Sequence, residues 1–403
     1  MSAVSHRFGW YLALLQLLFT LCWTIYVIYL PKLAASAGLP PGAVIWILML
    51  DQAVFTICDY AAGVAADKVT RVLGRLGVWV AIATAVSCAA FIALPFVAFV
   101  GAPLLIAVTL VWTVTSSALR APPLMLLGKY AARPAIPYLA ALALLGTGIA
   151  GAVGPYLALT LRDVDPRLPF AVASIVLVLT TLGMIAAERQ LAKAPKPDAG
   201  AAPPRAFGTL TTPAAVFALG MIVLALGYQM HFALNSAALY LRFATPADLP
   251  WLMPVFWIGF NIAMFPAGVV TKRVGGYWVM GGAALAGALA ILAAHQAQDL
   301  QWLIVAQFSA GAAWGAILMS AFTVAFLIGA HGGEGRMAGL LFSALALATF
   351  VRMAAVATGI NGVPEYKAVL QWVPALCWAL AGAALLYLAA VGVRRFTATR
   401  ATP

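Results

Sequence analysis

Charge is what this sequence has least of. Only 8% of its 403 residues are Asp, Glu, Lys or Arg, and just 11 are acidic. A soluble chain keeps about a quarter of its residues charged, so a soluble globular domain is excluded. Cysteine is scarce too. Cys22, Cys58, Cys88 and Cys377 sit singly in apolar runs, without metal-ligand or disulfide spacing, and read as packing residues that say nothing of the redox compartment. No HExxH or Gly-x-Ser-x-Gly pattern falls in an apolar run, which argues against the common enzyme types, so no catalytic residue, metal or cofactor is expected. No stretch outside the apolar runs is large enough for a sensing domain, which leaves a receptor as the weaker reading. Short alternating strands are missing, and with them an outer-membrane barrel.

What is present is hydrocarbon. The chain is 65% hydrophobic with a mean hydropathy of +1.02, more apolar surface than any soluble fold can hide. Apolar runs of about 20 residues recur along the whole length, as spanning helices require. They fall near 9–31, 42–66, 74–98, 101–128, 134–161, 167–188, 213–241, 249–271, 276–294, 300–329, 336–361 and 368–393. The expected fold class is an all-α integral membrane protein of twelve transmembrane helices.

The net charge of +12 points to orientation, not to nucleic acid. With the N-terminus inside, sixteen of the 23 basic residues lie in inner loops and termini, five in outer loops, and Arg120 and Arg352 within helices. That is the positive-inside bias, and it puts both termini in the cytoplasm of a multi-pass inner (plasma) membrane protein. Arg7 before the first run and Ala35-Ser36-Ala37 after it suggest a signal peptide, but the run is too long for one, and no cleavage is expected.

The Pro- and Ala-rich stretch from Gln190 to Pro213 has no apolar helical face and reads as a linker. It divides the chain into an N-terminal unit at 1–189, a cytoplasmic linker at 190–212 and a C-terminal unit at 213–403. The halves echo each other. Gly63-Val64-Ala65-Ala66-Asp67-Lys68 leaves the second run as Gly268-Val269-Val270-Thr271-Lys272-Arg273 leaves the eighth, and Thr147-Gly148-Ile149-Ala150-Gly151 matches Thr358-Gly359-Ile360-Asn361-Gly362. A duplicated six-helix unit with a site between its halves is a secondary-transporter plan.

Gly63-x-x-x-Asp67-Lys68-x-x-Arg71 resembles the signature loop of the major facilitator superfamily, and the layout around it is similar over the whole chain. Gly151-x-x-Gly154-Pro155 resembles the Gly-Pro motif of that superfamily's antiporter branches, with Tyr156, Leu157 and Ala158 where further glycines would stand. The spacing from Asp59 through Gly63 and Asp67 to Gly74-Arg75, with Trp79, is similar to the glycoside-pentoside cation symporter branch, with Tyr60 where that branch has Pro. The resemblance implies two pseudo-symmetric six-helix bundles, with helices 1, 4, 7 and 10 around a cavity and helix 2 facing helix 11. It also implies a latch of Gly63, Asp67, Lys68 and Arg71, with Asp67 near the positive N-terminal end of helix 11.

Four charges fall deep in the apolar runs: Asp51, Asp59, Arg120 and Arg352. Each costs about 2.5–3.5 kcal/mol at a helix centre, so pairing is expected. Depth along the helices matches Asp59 with Arg120 and Asp51 with Arg352. Such pairs either lock helices together or couple transport to a proton through Asp51 and Asp59, because burial raises a carboxylate pKa and an adjacent Arg lowers it. Arg352 and Arg120 are then their partners or an anchor for a substrate anion. The expected cavity residues are Gln16 and Trp23 with Thr20 in helix 1, and Thr113 and Ser116 with Thr109 and Arg120 in helix 4. Helix 7 adds Tyr228, His231 and Asn235, and helix 10 adds Gln307 and Trp314, all at helical spacing. Asn261 in helix 8 is undecided between cavity and packing. The expected function is alternating-access transport of a small organic solute with protons as coupling ion. Symport, drug or metabolite antiport, and a monomeric carrier in a lipid bilayer are all compatible with these residues.

Overall fold

Helices of 20 to 31 residues form wherever the apolar runs predict them, because inside a bilayer only an α-helix satisfies its own backbone. The structure, a computed structural model, describes residues 5–72, 75–193, 212–330 and 332–401, except the side chains of 71, 72, 213 and 392–401. Among the described residues, twelve helices are long and apolar enough to cross a membrane. They are α1 (His6–Ser36), α2 (Ala43–Thr70), α3 (Leu76–Val97), α4 (Ala102–Tyr130), α5 (Arg133–Thr160) and α6 (Arg167–Lys193). The second six are α7 (Ala214–Tyr240), α8 (Pro246–Val274), α9 (Gly276–His295), α10 (Leu300–Gly329), α11 (Glu334–Ala357) and α12 (Pro364–Val391). Residues 194–211, most of the expected linker, lie outside the described residues. The face where α6 ends and α7 begins is termed here the terminal face.

Within each half the packing repeats. α1 packs on α5 and α3 on α6 in the first half, and α9 packs on α12 and α7 on α11 and α12 in the second. Besides contacts of α4 with α11, the two main seams between the halves are α2 against α11 and α5 against α8. They are related by the sequence echo. Gly63 on α2 meets the start of α11 at Gly335, and Gly268 on α8 faces Pro137 at the start of α5. The other echo is not structural. Gly148 lies mid-helix against Asn261 of α8, whereas Gly359 has φ +74° and follows the end of α11. Small residues recur by chance in a chain this rich in Ala and Gly.

Two helices depart from regular winding, and both departures matter for the site. In α4, Pro122 and Pro123 have no N–H to donate, and residues Ser117–Leu119 tighten into a 3-10 turn before the helix resumes at Ala121. The Leu119 carbonyl, which residue 123 would otherwise have bonded, accepts instead from Gln16 Nε2 at 3.1 Å. In α7, residues Gln229–Asn235 are wound as a π-helix, and the Ser236 N–H bonds the His231 carbonyl five residues back.

Two helix starts are capped from a distance. The first backbone N–H groups of a helix have no partner within it. At α3, Leu76 and Gly77 donate to Glu188 Oε1 and Oε2 of α6 at 2.8 and 2.7 Å. At α11, Gly335 and Arg336 donate to Asp67 Oδ1 and Oδ2 of α2 at 2.7 and 2.8 Å.

Candidate functional site

A cavity of about 400 Å³ lies between the halves. The first half contributes Gln16, Phe19, Thr20 and Trp23 of α1, Gln52 and Phe55 of α2, Arg120 of α4, and Leu144 and Thr147 of α5. The second contributes Tyr228, Gln229, Phe232 and Ala233 of α7, Trp257 and Phe260 of α8, Trp314, Leu318 and Phe322 of α10, and Phe342, Thr349 and Arg352 of α11. Much of the second half's wall is aromatic. Tyr228 stacks on Trp314 with ring centroids 4.6 Å apart and planes 4° from parallel, and Phe232 meets Trp257 edge-on at 5.6 Å. Gln229 Nε2 donates to Thr349 Oγ1 at 2.8 Å, which ties α7 to α11 at the wall.

Asp59 and Arg120 are an ion pair, with Arg120 Nη1 2.8 Å from Asp59 Oδ2. The carboxylate is fully buried behind the wall and the guanidinium is 15% exposed, at the cavity surface. Arg120 lies over the Phe55 ring at 4.6 Å and the Phe342 ring at 5.0 Å. One ring comes from each half, so the cation is shared across the interface.

Asp51 and Arg352 do not pair. Asp51 is fully buried inside the first half, where its carboxylate accepts from Tyr26 Oη of α1 at 2.7 Å and Thr113 Oγ1 of α4 at 2.9 Å. Arg352 faces the cavity across the interface, with its Nε buried and without a hydrogen-bond partner. The two share a depth but not a direction. Gln52, about 100° around the helix from Asp51, is the residue that lines the cavity.

The stripes expected to line the cavity divide in the same way. Gln16, Trp23, Arg120, Tyr228 and Trp314 line it, with Thr20. Thr113 and Ser116 do not. Thr113 serves Asp51, and Ser116 donates to the Thr113 carbonyl at 3.0 Å. The 3-10 turn after Ser116 changes the winding, so Arg120 reaches the cavity while the residues before the turn stay inside the first half. His231 and Asn235 are likewise turned away by the π-helix. His231 Nε2 lies 3.0 Å from Gln307 Oε1, which also accepts from Ser236 Oγ at 3.2 Å. Gln307 is thus covered by α7, not open to the cavity, and Asn235 Nδ2 donates to the Leu370 carbonyl at 3.2 Å, which ties α7 to α12. Asn261 packs toward α5 and donates to the Trp257 carbonyl at 2.9 Å. The sequence reading missed Phe55, Phe232, Trp257 and Phe342, because aromatic residues in an apolar helix read first as core. It missed Gln52 and Thr349 because they lie on helices 2 and 11, outside the four expected to line the cavity.

At the terminal face the α2–α11 seam is closed to backbone contact. A methyl group on Gly63 would overlap the Gly335 carbonyl oxygen, and one on Gly339 would overlap the Asp59 carbonyl oxygen. Only glycine allows this approach. Asp67 sits at the same level and caps α11, while Met125 of α4 packs on Gly335. Lys68 is exposed, and the side chain of Arg71 lies outside the described residues. Among the described residues no cluster of three or more His, Cys, Asp or Glu could hold a metal.

No family profile and no curated protein matches the sequence. Solved structures do match. The human organic anion transporter MFSD10 (TETRAN) is similar at TM-score 0.71 and 16% identity, over 94% of this chain and 99% of that one. A bacterial homologue of the iron transporter ferroportin, in its outward-facing state, gives TM-score 0.72 at 13% identity over 94% and 99%. The E. coli transporter FucP in its outward conformation, described as a major facilitator superfamily transporter, gives TM-score 0.68 at 12% identity over 96% and 99%. This is the major facilitator fold. The likeness runs nearly end to end in both chains, so the major facilitator fold takes in all twelve helices. At these identities it is a likeness of fold. FucP is also described as a fucose:proton symporter.

Proposed function

We propose that the chain is a secondary active transporter, which carries a small organic solute across the inner membrane by alternating access and uses protons to drive it. The observation that carries this reading is the cavity lined by both halves and backed at the terminal face by contacts between them. A rocking of one half on the other about such a cavity exposes it to each side in turn. The moving units are 1–189 and 213–403, joined by the linker at 190–212. The terminal face is cytoplasmic on the distribution of basic residues. The protein in this form is then closed to the cytoplasm.

Asp51 is the proton carrier in this reading. Two neutral hydroxyls hold its carboxylate, and among the described residues no cation pairs with it, so a proton taken up there displaces no ion pair. Asp59, with Arg120 already in contact, serves the ion pair. The fucose:proton symporter is a protein of the same fold that moves a solute with protons. Symport and antiport use the same cavity and the same carboxylate.

The test is Asp51→Asn in proteoliposomes at matched protein levels. Gradient-driven accumulation should be lost while counterflow of the same solute continues. Accumulation at the wild-type proton-to-solute ratio would remove Asp51 from the coupling. A solute that binds the chain but is never exchanged across the bilayer would remove transport itself.

A further inference from the structure

We infer that the solute is a small organic anion with a flat apolar body, whose acid group is held by Arg352; this rests on the cavity being the transport site. The cavity wall contains Arg120 and Arg352 and no Asp, Glu, Lys or His. Asp59 answers Arg120 from behind the wall. Asp51 is turned inward to Tyr26 and Thr113. One guanidinium is left over. Arg352 has no ion pair or hydrogen bond with any described residue. An isolated cation at this depth is costly, and charged groups inside membrane proteins are ordinarily paired or hydrated at a functional site. A carboxylate or sulfonate in the cavity supplies the missing charge, and the planar fork of Arg suits its two oxygens.

The remainder of the wall describes the rest of the ligand. Tyr228, Trp314, Phe232 and Trp257 form a continuous aromatic surface, and Arg352 lines the same cavity. Flat rings stack on such a surface, and Gln52, Gln229 and Thr349 offer a few polar contacts. A volume of about 400 Å³ is at the small end of ligand pockets, which admits a one- or two-ring acid. A cation would meet two guanidinium groups without a carboxylate on the wall. A neutral sugar would leave Arg352 uncompensated.

The experiment measures binding, separately from transport, by thermal shift and tryptophan quenching of the purified full chain. The probes are benzoate, 2-naphthoate and benzenesulfonate, with benzamide and benzylammonium as neutral and cationic counterparts. Trp257 and Trp314 lie in the wall and report occupancy. The acids should bind and the amide and amine should not. Arg352→Gln should weaken the acids by about 10- to 100-fold, the worth of one charge-assisted contact, and Arg352→Lys should restore part of the loss. Arg352→Gln should melt no lower than wild type without ligand, because it removes an unpaired charge. Equal binding of acid and amide, no binding of any acid, or full acid binding by Arg352→Gln overturns the inference. Acid binding without exchange across the bilayer sinks the transport reading and leaves the anion site standing. Exchange of a cation or a neutral sugar does the reverse.

Discussion

Arg120 stands where α4 breaks, and the break is what lets it serve two partners. Its guanidinium meets Asp59 behind the wall while its face stacks between Phe55 and Phe342. Removing either charge leaves the other buried alone, which costs about 3–5 kcal/mol. Asp59→Ala and Arg120→Ala should each reduce folded protein sharply, and the double substitution should recover part of the loss. The measurement is a double-mutant cycle on detergent-extracted, monodisperse protein. Additive losses would dissolve the pairing. Depth along the helix made this pair legible in the sequence, since both residues belong to the same half. Depth misled for Asp51 and Arg352, because it says nothing of direction around the helix. A hydroxyl such as Tyr26 is as good a partner as a cation and leaves no trace in a search for opposite charges.

At the scale of elements, boundaries followed from hydropathy, and faces followed only while the winding stayed regular. The expected stripe on α1 faces the cavity throughout, and that helix carries no break. On α4 the warning was visible in Ala121-Pro122-Pro123, two adjacent residues without a donor. On α7 the π-helical turn itself contains no Pro or Gly, and the regular 3.6-residue stripe sent His231 and Asn235 to the wrong face. The α2–α11 seam carries a prediction of its own. Asp67→Asn keeps one acceptor for the two N–H groups at the start of α11 and removes the charge that favours that helix end. The closed seam should weaken by about 1–3 kcal/mol, or about 5- to 150-fold in the closed-to-open ratio. A cysteine at Met125, buried against Gly335, should then react faster with a maleimide. An unchanged rate would make Asp67 a bystander of the seam.

At the scale of the molecule, composition decided most. Twelve apolar runs and a charged midpoint were enough to place the helices, and the pairing of α2 with α11 came from the resemblance to the major facilitator superfamily. The contents of the cavity were not decided at that level, because its wall combines residues from both halves that no single stripe contains. Orientation can be tested directly. Ser36 is exposed at the end of α1 away from the terminal face, and the four native cysteines are buried or half-buried within helices. Ser36→Cys should react with a membrane-impermeant maleimide on intact cells; reaction only after permeabilisation would invert the molecule. The two remote helix caps supply one more measurement. Glu188 and Asp67 hold the same kind of bond, a carboxylate on two backbone amides at nearly equal lengths. Glu188 joins helices of one half, and Asp67 joins the two halves. In deuterated buffer the amides of Leu76 and Gly77 keep time for a body that stays rigid, while those of Gly335 and Arg336 also count each parting of the halves. The ratio of the two exchange rates is a clock built into the chain, one that reads how often the cavity turns toward the terminal face before any solute is known.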